Sequence, residues 1–430
     1  MFALNRRRRA ACLAAALAAS TLLAAGCGNN GVPSSSSSSG GVVQLSMLTG
    51  FTGPDEPSYQ ALITQFNKTH PDIHVTMTVE PWATVAQKLP ESWATGEGPD
   101  LATPSSDPGS IFNYIKTNSV LPLTGSVGTG SSQIDASAFP STVRNAFTVN
   151  GQLYAVPANM ATLALYYNKD MFAKAGITAA PTTEADFIAD AKKLTISSGG
   201  KVSQYGLSLA DNNTIQMWPV LQWMSGGDII NAKGCATVNA PASVTALTQW
   251  SQLVIKDHIS PIGQAGADAD TLFSSRKAAM EINGPWAADG YKSAGINLGI
   301  AEVPVGSAGP VTLASTVPLM IERTTQHAAQ AKEFLSWYTS KAAQVQFSQV
   351  SGFPPARTDL GGAVASNPTV SLFAQALPYA KLYLAGQSQA TAIDTDVYVP
   401  MIQQIERGAN VQSATTAAAQ QIDKLTGCAS

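Results

Sequence analysis

A chain of 430 residues that is 45% hydrophobic and only 12% charged carries enough apolar content for two buried cores, and it does not read as disordered. Its formal net charge of −3 becomes −7 once the four leader arginines at positions 6–9 are set aside. That mild acidity, with no basic patch elsewhere, excludes a nucleic-acid partner.

The first 26 residues read as an export leader. Arg6–Arg9 form a basic n-region, and Ala10 to Ala25 is an apolar run short for a bilayer span. The run closes on Leu22-Leu-Ala-Ala-Gly-Cys27, small residues before a cysteine, which resembles a bacterial lipobox with Ala24 in place of the commoner Leu or Val. The resemblance implies cleavage before Cys27 and acylation of its thiol; an ordinary signal peptide with an incidental cysteine is the alternative. Residues 27–41 then include six consecutive serines, a flexible polar tether with nothing to bury. No later stretch reaches the length of a transmembrane helix.

Val43, Leu45 and Met47 alternate as a strand, Tyr59, Leu62, Ile63 and Phe66 follow a helical period, and Ile73, Val75, Met77 and Val79 alternate again. This β-α-β order predicts a parallel sheet with a right-handed crossover. Helices are expected over Val85–Trp93 and Ile111–Asn118, with a strand restarting at Gly98-Pro-Asp-Leu-Ala102 between them. Leu163–Tyr167 reads as a strand. Thr183-Glu-Ala-Asp186 has capping-box spacing and opens a helix through Leu194. Gly226-Gly-Asp228 reads as a turn, and Val244, Leu247, Trp250 and Val254 stripe a further helix. Ala331, Phe334, Leu335, Tyr338, Ala342 and Val345 predict one long amphipathic helix.

The stretch Ala278–Trp286 is singled out for function. Met280 and Ile282 alternate with Glu281 and Asn283, predicting a strand with one buried face, and Gly284-Pro285 stops it. Trp286 follows, with Ala287 and Ala288 behind it. An indole presented at a strand end is a flat apolar plate with one polar N–H, suited to the face of a sugar ring; taken alone it also fits a core tryptophan. Cys12 leaves with the leader and Cys27 is acylated, so Cys235 and Cys428 remain, and in an exported chain they are expected to pair. No histidine lies at ligand spacing from either cysteine, and neither a metal nor a cofactor is expected.

Taken together these segments resemble the extracytoplasmic solute-binding proteins of sugar ABC importers, the family of maltose-binding protein. The resemblance covers nearly all of residues 43–427. It rests on the order and spacing of Gly96-Glu-Gly-Pro-Asp-Leu101, Tyr154-Ala-Val-Pro157, Tyr166-Tyr-Asn-Lys-Asp170, Gly226-Gly-Asp228, Lys277-Ala-Ala-Met280, Asn283-Gly-Pro-Trp286, Ala331-Lys-Glu-Phe-Leu335 and Gly352-Phe-Pro-Pro355. Ser275-Arg276 departs from the family pattern, where a glycine is usual, at a surface turn. The resemblance implies a two-lobed α/β fold of the periplasmic-binding-protein type, each lobe a mostly parallel sheet flanked by helices. Three crossings are expected near Ala158–Thr162, Ser315–Pro318 and Pro354–Thr358. Lobe one is then residues 42–157 with 317–354, and lobe two 158–316 with 355–430.

It implies further that a carbohydrate is held between the lobes and handed to a membrane permease by a monomer held on the membrane by its lipid alone. Asp107 matches a family carboxylate that binds sugar hydroxyls, although it is also placed to cap a helix over Gly109–Asn118. Trp82 lies in a strand-to-helix loop of lobe one and otherwise packs on the following helix. Of Trp218 and Trp223, which straddle Pro219, one is expected to reach the cleft, with Trp218 the better placed. Phe51 and Thr52 follow the first strand and line the cleft, and Asp394, Asp396 and Tyr398 lie in a polar break where the family often adds contacts. Arg357 bridges ligand and hinge, or pairs with a surface acid. Trp250 and Trp337 are read as core.

Two other function classes fit the residues less well. An exported carbohydrate-active enzyme needs paired carboxylates at a fixed separation, and the sequence offers none, nor a Gly-x-Ser-x-Gly turn, a P-loop or zinc spacing. His70, His74, His258 and His327 sit in helix-end or surface settings. A binder of a charged solute such as polyamine or glycerol phosphate wants several carboxylates, or an arginine or helix N-terminus. The aromatic-rich, charge-poor candidate set favours a neutral carbohydrate.

Overall fold

The computed structural model describes residues 41–428 apart from Ser106, Asp107, Ser131 and Asn213, so the leader, Cys27, most of the tether and the Asp107 candidate lie outside the described residues. The alternation at the start forms the strand Val43–Thr49, which buries Leu45 and Met47. It pairs in parallel with Ile73–Val79 along its whole length, and the helix Glu56–Thr69 packs Tyr59, Leu62, Ile63 and Phe66 against the sheet's core. Leu101–Ala102 adds in parallel on the other side. Pro318–Ile321 and Val156–Pro157 complete five strands, both pairing antiparallel.

A second sheet is centred on Ala164–Asn168, with Met280–Asn283 and Leu298–Ala301 antiparallel on either side. The parallel neighbour here is a pair of bridges, Tyr205 to Ala278 and Ser208 to Glu281. Both sheets are therefore mixed rather than mostly parallel. Met280–Asn283 is reached from the central strand through a long excursion, which imposes no direction, whereas a single crossover helix imposes a parallel one.

Two hydrophobic cores give the two lobes. Leu45 to Ala161, Ala314 to Ala356 and Leu382 supply the first, while Leu163 to Leu313 and Tyr383 to Ile422 supply the second. The chain changes core between Ala161 and Leu163 and returns between Leu313 and Ala314. These two passages pair with each other, Ala314 opposite Thr162 and Ser315 opposite Ala161. Asn159 ties them further: its Nδ2 donates to the Tyr59 hydroxyl (2.7 Å), and its Oδ1 accepts from the backbone of Val317. The expected third passage at Pro354–Thr358 is displaced. Phe353 and Ala356 still pack in the first core, and the Thr358 hydroxyl donates to Ala138 O of that lobe, so residues 355–359 stay with lobe one. Phe373, further on, packs with Tyr166 and Tyr291 of lobe two.

The capping box forms: Thr183 Oγ1 accepts from the Asp186 N–H, and the helix runs Glu184–Leu194. The long helix expected from Ala331 is instead two, Ala328–Tyr338 and Lys341–Ser351. Ser340 caps the second by accepting from Ala343 N–H, and the break moves the buried face to Ala343, Gln344 and Phe347, leaving Ala342 exposed. Cys235 and Cys428 are joined by a disulfide that ties the loop after Gly226–Asp228 to the end of the last helix, Val411–Thr426. Among the described residues no helix is long and apolar enough to cross a membrane.

Candidate functional site

The strand Met280–Asn283 is buried on both faces, not one. Its polar residues are satisfied inside: the Tyr291 hydroxyl donates to Glu281 Oε2 (2.5 Å), and Asn283 Nδ2 donates to Asp270 Oδ1 (2.8 Å). Burial, with Asp270 nearby, pushes the Glu281 carboxyl well above its ordinary range, which favours its neutral form. This buried frame fixes the turn that follows. Tyr166 Oη donates to Gly284 O (2.6 Å), and Pro285–Ala287 forms a single 3-10 turn that carries Trp286. The indole lies directly on the Gly284 backbone: a Cβ at 284 would stand 2.1 Å from its Cζ3, a space only glycine leaves. Trp286 is partly buried and touches both lobe cores as well as the cluster around Tyr166 and Tyr291.

Lobe one presents a matching arrangement. Its first strand is followed directly by Gly50, and the Trp82 indole lies on that glycine, with a Cβ at 50 only 2.0 Å from the ring. Phe51 stacks on Tyr59, centroids 3.8 Å apart and 5° from parallel, and meets Trp82 edge-on at 5.5 Å. Phe51 is thus a buried support rather than an open cleft surface, while Thr52 is exposed. The next residues carry the loop to the other lobe: a Cβ at Gly290 would stand 2.8 Å from Pro54 Cγ. Asp55, unremarked in the sequence, sits beside this contact. Its carboxyl makes no cap bond to the helix it precedes, and burial pushes it up to about 6. An acid before a helix reads as an ordinary cap in sequence, so nothing distinguished it there.

The remaining candidates group elsewhere. All eight residues of the helix Met217–Met224 are buried, so Trp218 and Trp223 both pack inward instead of one facing out. Trp223 Nε1 donates to Asp228 Oδ1 (2.8 Å), and the Lys381 ammonium sits 5.3 Å from its ring while pairing with Asp228 (3.1 Å). These residues border a cavity of about 210 Å³ with Tyr383. The Trp218 N–H is buried with no partner among the described residues. Asp394 accepts from Tyr383 Oη (2.8 Å) and Gln216 Nε2 (3.5 Å), and Asp396 is exposed. Tyr398 is a core residue whose hydroxyl donates to Gln222 Oε1 (3.0 Å).

Arg357 is neither a cleft residue nor a surface one. It is 6% exposed, donating to Asp359 through Nε and Nη2, to Asp135 through Nη2 and to Thr339 O through Nη1. Its donors are spent inside lobe one, which explains why residues 355–359 stay there. Among the described residues no three His, Cys, Asp or Glu side chains cluster in a way that would hold a metal.

A family model for bacterial extracellular solute-binding proteins matches residues 52–345. The chain belongs to that family. A binding protein of Brucella abortus is 25% identical to this family member over 304 residues, 70% of this chain and 72% of the relative. A maltooligosaccharide ABC transporter solute-binding lipoprotein of Streptococcus pneumoniae is 31% identical over 162 residues, 36% of this chain and 37% of the relative. The crystal structures of the GacH receptor of Streptomyces glaucescens, unliganded and with acarbose, superpose with a TM-score of 0.80 at 24% identity, covering 90% of this chain and 100% of that one. That likeness gives the fold: two mixed α/β lobes of a solute-binding protein. The family and these neighbours are binding proteins.

Proposed function

We propose that this solute-binding protein is the lipid-anchored substrate-binding component of an ABC importer, capturing a carbohydrate between its lobes and delivering it to a membrane permease. The observation that carries the reading is Trp286: an indole seated on Gly284 at a strand end of lobe two, turned to where both cores meet. An aromatic plate at such a junction takes the apolar face of a sugar ring, while polar groups around it take the hydroxyls. Trp82 on Gly50 offers a second plate from lobe one. Ligand contacting both lobes binds the closed form better than the open one and shifts the population toward it, and the permease reads that closed form.

The oligosaccharide-transporting relative and the acarbose-bound neighbour support the carbohydrate class. The relative's description as a lipoprotein supports acylation of Cys27, and two or more acyl chains hold a protein stably at a membrane. Asp107 stays a proposed hydroxyl acceptor. Asp394, half-buried, is proposed as a more distant contact. Screening purified protein against mono-, di- and trisaccharides by melting temperature tests the reading. A saccharide that raises the midpoint and is not turned over supports it; steady hydrolysis of a saccharide would replace it with an enzyme.

A further inference from the structure

Three stretches that join the lobes share one small sheet. Ala161–Thr162 pairs antiparallel with Thr312–Ser315, and Ala380–Leu382 pairs in parallel with that same strand. Leu382 packs in the lobe-one core and Tyr383 in that of lobe two, so the chain changes lobe here as well. Asn159 ties the first two stretches to lobe one. Its Oδ1 accepts from the Val317 N–H (3.2 Å), its carbonyl accepts from the Thr316 hydroxyl (2.8 Å), and its Nδ2 donates to the Tyr59 hydroxyl (2.7 Å). Both Asn159 and Tyr59 are buried.

Tyr59 is also where the two indole plates converge. Its ring stacks on Phe51, which meets Trp82 edge-on, and lies 6.3 Å from Phe353, which meets Trp286. Each plate thus reaches Tyr59 through a single ring, and Tyr59 reaches the hinge strands through one hydrogen bond. Rings in a close-packed interior shift together, because a gap of about half an ångström already forfeits much of their contact energy. We propose that Tyr59 and Asn159 are the positioning pair for capture: through their hydrogen bond, the seating of Trp82 and Trp286 against a sugar biases the hinge strands toward the closed arrangement. This rests on the carbohydrate reading above and deepens it, assigning the link between site and hinge to one buried bond. A ligand shifts the open–closed balance only as far as it favours one form, and here that preference passes from the plates to the chain passages.

The test uses the saccharide that most raises the wild-type melting midpoint among mono-, di- and trisaccharides, titrated well below the midpoint of every variant. Tyr59→Phe removes the hydroxyl and keeps the ring stack. It should weaken binding about threefold to tenfold, the worth of one neutral hydrogen bond, and do so through faster dissociation. Asn159→Ala reads the same bond from its other partner should Tyr59→Phe not fold, and should also speed dissociation. In the double variant the two losses should not add. Tyr338→Phe is the control, because that hydroxyl donates to Ala158 O (2.6 Å) beside the same passage while its ring meets Phe334 and neither plate. It should lower the melting midpoint and leave affinity unchanged. Wild-type affinity in Tyr59→Phe, or in Asn159→Ala where that variant alone folds, overturns the inference and leaves the carbohydrate reading standing. So do losses that add, or an equal loss in Tyr338→Phe. Binding of no saccharide by wild type overturns both.

Discussion

The indole of Trp286 and the ring of Phe353 lie 6.1 Å apart, centroid to centroid, and 40° from parallel. Trp286 comes from the turn after a lobe-two strand, and Phe353 belongs to the lobe-one core, so this pair spans the junction that a bound ring would enter. Phe353 in turn meets Tyr59 at 6.3 Å, and Tyr59 is bonded to Asn159 at the first passage between lobes. The aromatic floor of the site is therefore continuous with the hinge.

Trp250 separates a core tryptophan from a ligand plate. It is fully buried, packs against Phe187 at 5.4 Å and donates to Glu184 Oε1 (3.0 Å). Trp250→Ala should cost about 3–5 kcal/mol and lower the melting midpoint on the order of 10 °C. Titration of the folded variant at low temperature should give unchanged saccharide affinity.

Arg357 predicts an acid-sensitive anchor. The guanidinium, with Lys341, holds the Asp359 carboxyl down to about 2. A carboxyl depressed on folding adds stability above its unfolded value and loses it as pH falls through the folded one, so the window is from about 4 down to about 2. Arg357→Ala should destabilise by about 2 kcal/mol at neutral pH, since its partners are partly exposed, and the gap from wild type should shrink across that window. Denaturant melts over a pH series measure it.

The Cys235–Cys428 disulfide closes a loop spanning 193 positions. Free-thiol labelling of the unfolded, unreduced chain should find neither cysteine reactive. Reduction should cost up to about 5 kcal/mol on the loop-entropy estimate. Two labelled thiols per chain would contradict it.

Much of this organisation was legible because local periodicity and burial agree. The strand at Val43, the helix through Phe66 and the capping box at Thr183 each carry their signal within a few residues. What was not legible depends on distant partners. Glu281 and Asn283 read as an exposed face, yet Asp270 and Tyr291 enclose them. Trp218 and Trp223 lie on a helix buried on every side, where spacing decides nothing. Arg357 looked like a hinge or surface residue because its Asp135 partner lies far back in the chain. Asp55 carried no signal in the sequence, and only the approach of Gly290 to Pro54 marks its setting as a lobe contact.

The most direct test of carbohydrate capture is calorimetric titration of wild type and Trp286→Ala with a saccharide that binds wild type, with melting curves run alongside. Shielding roughly 100 Å² of apolar ring and sugar face contributes about 2.5 kcal/mol. The variant should therefore fold normally and bind tens to a hundredfold more weakly, at 1.4 kcal/mol per tenfold. A variant that binds the saccharide as wild type does but melts early would make Trp286 a structural residue and contradict the site placed here.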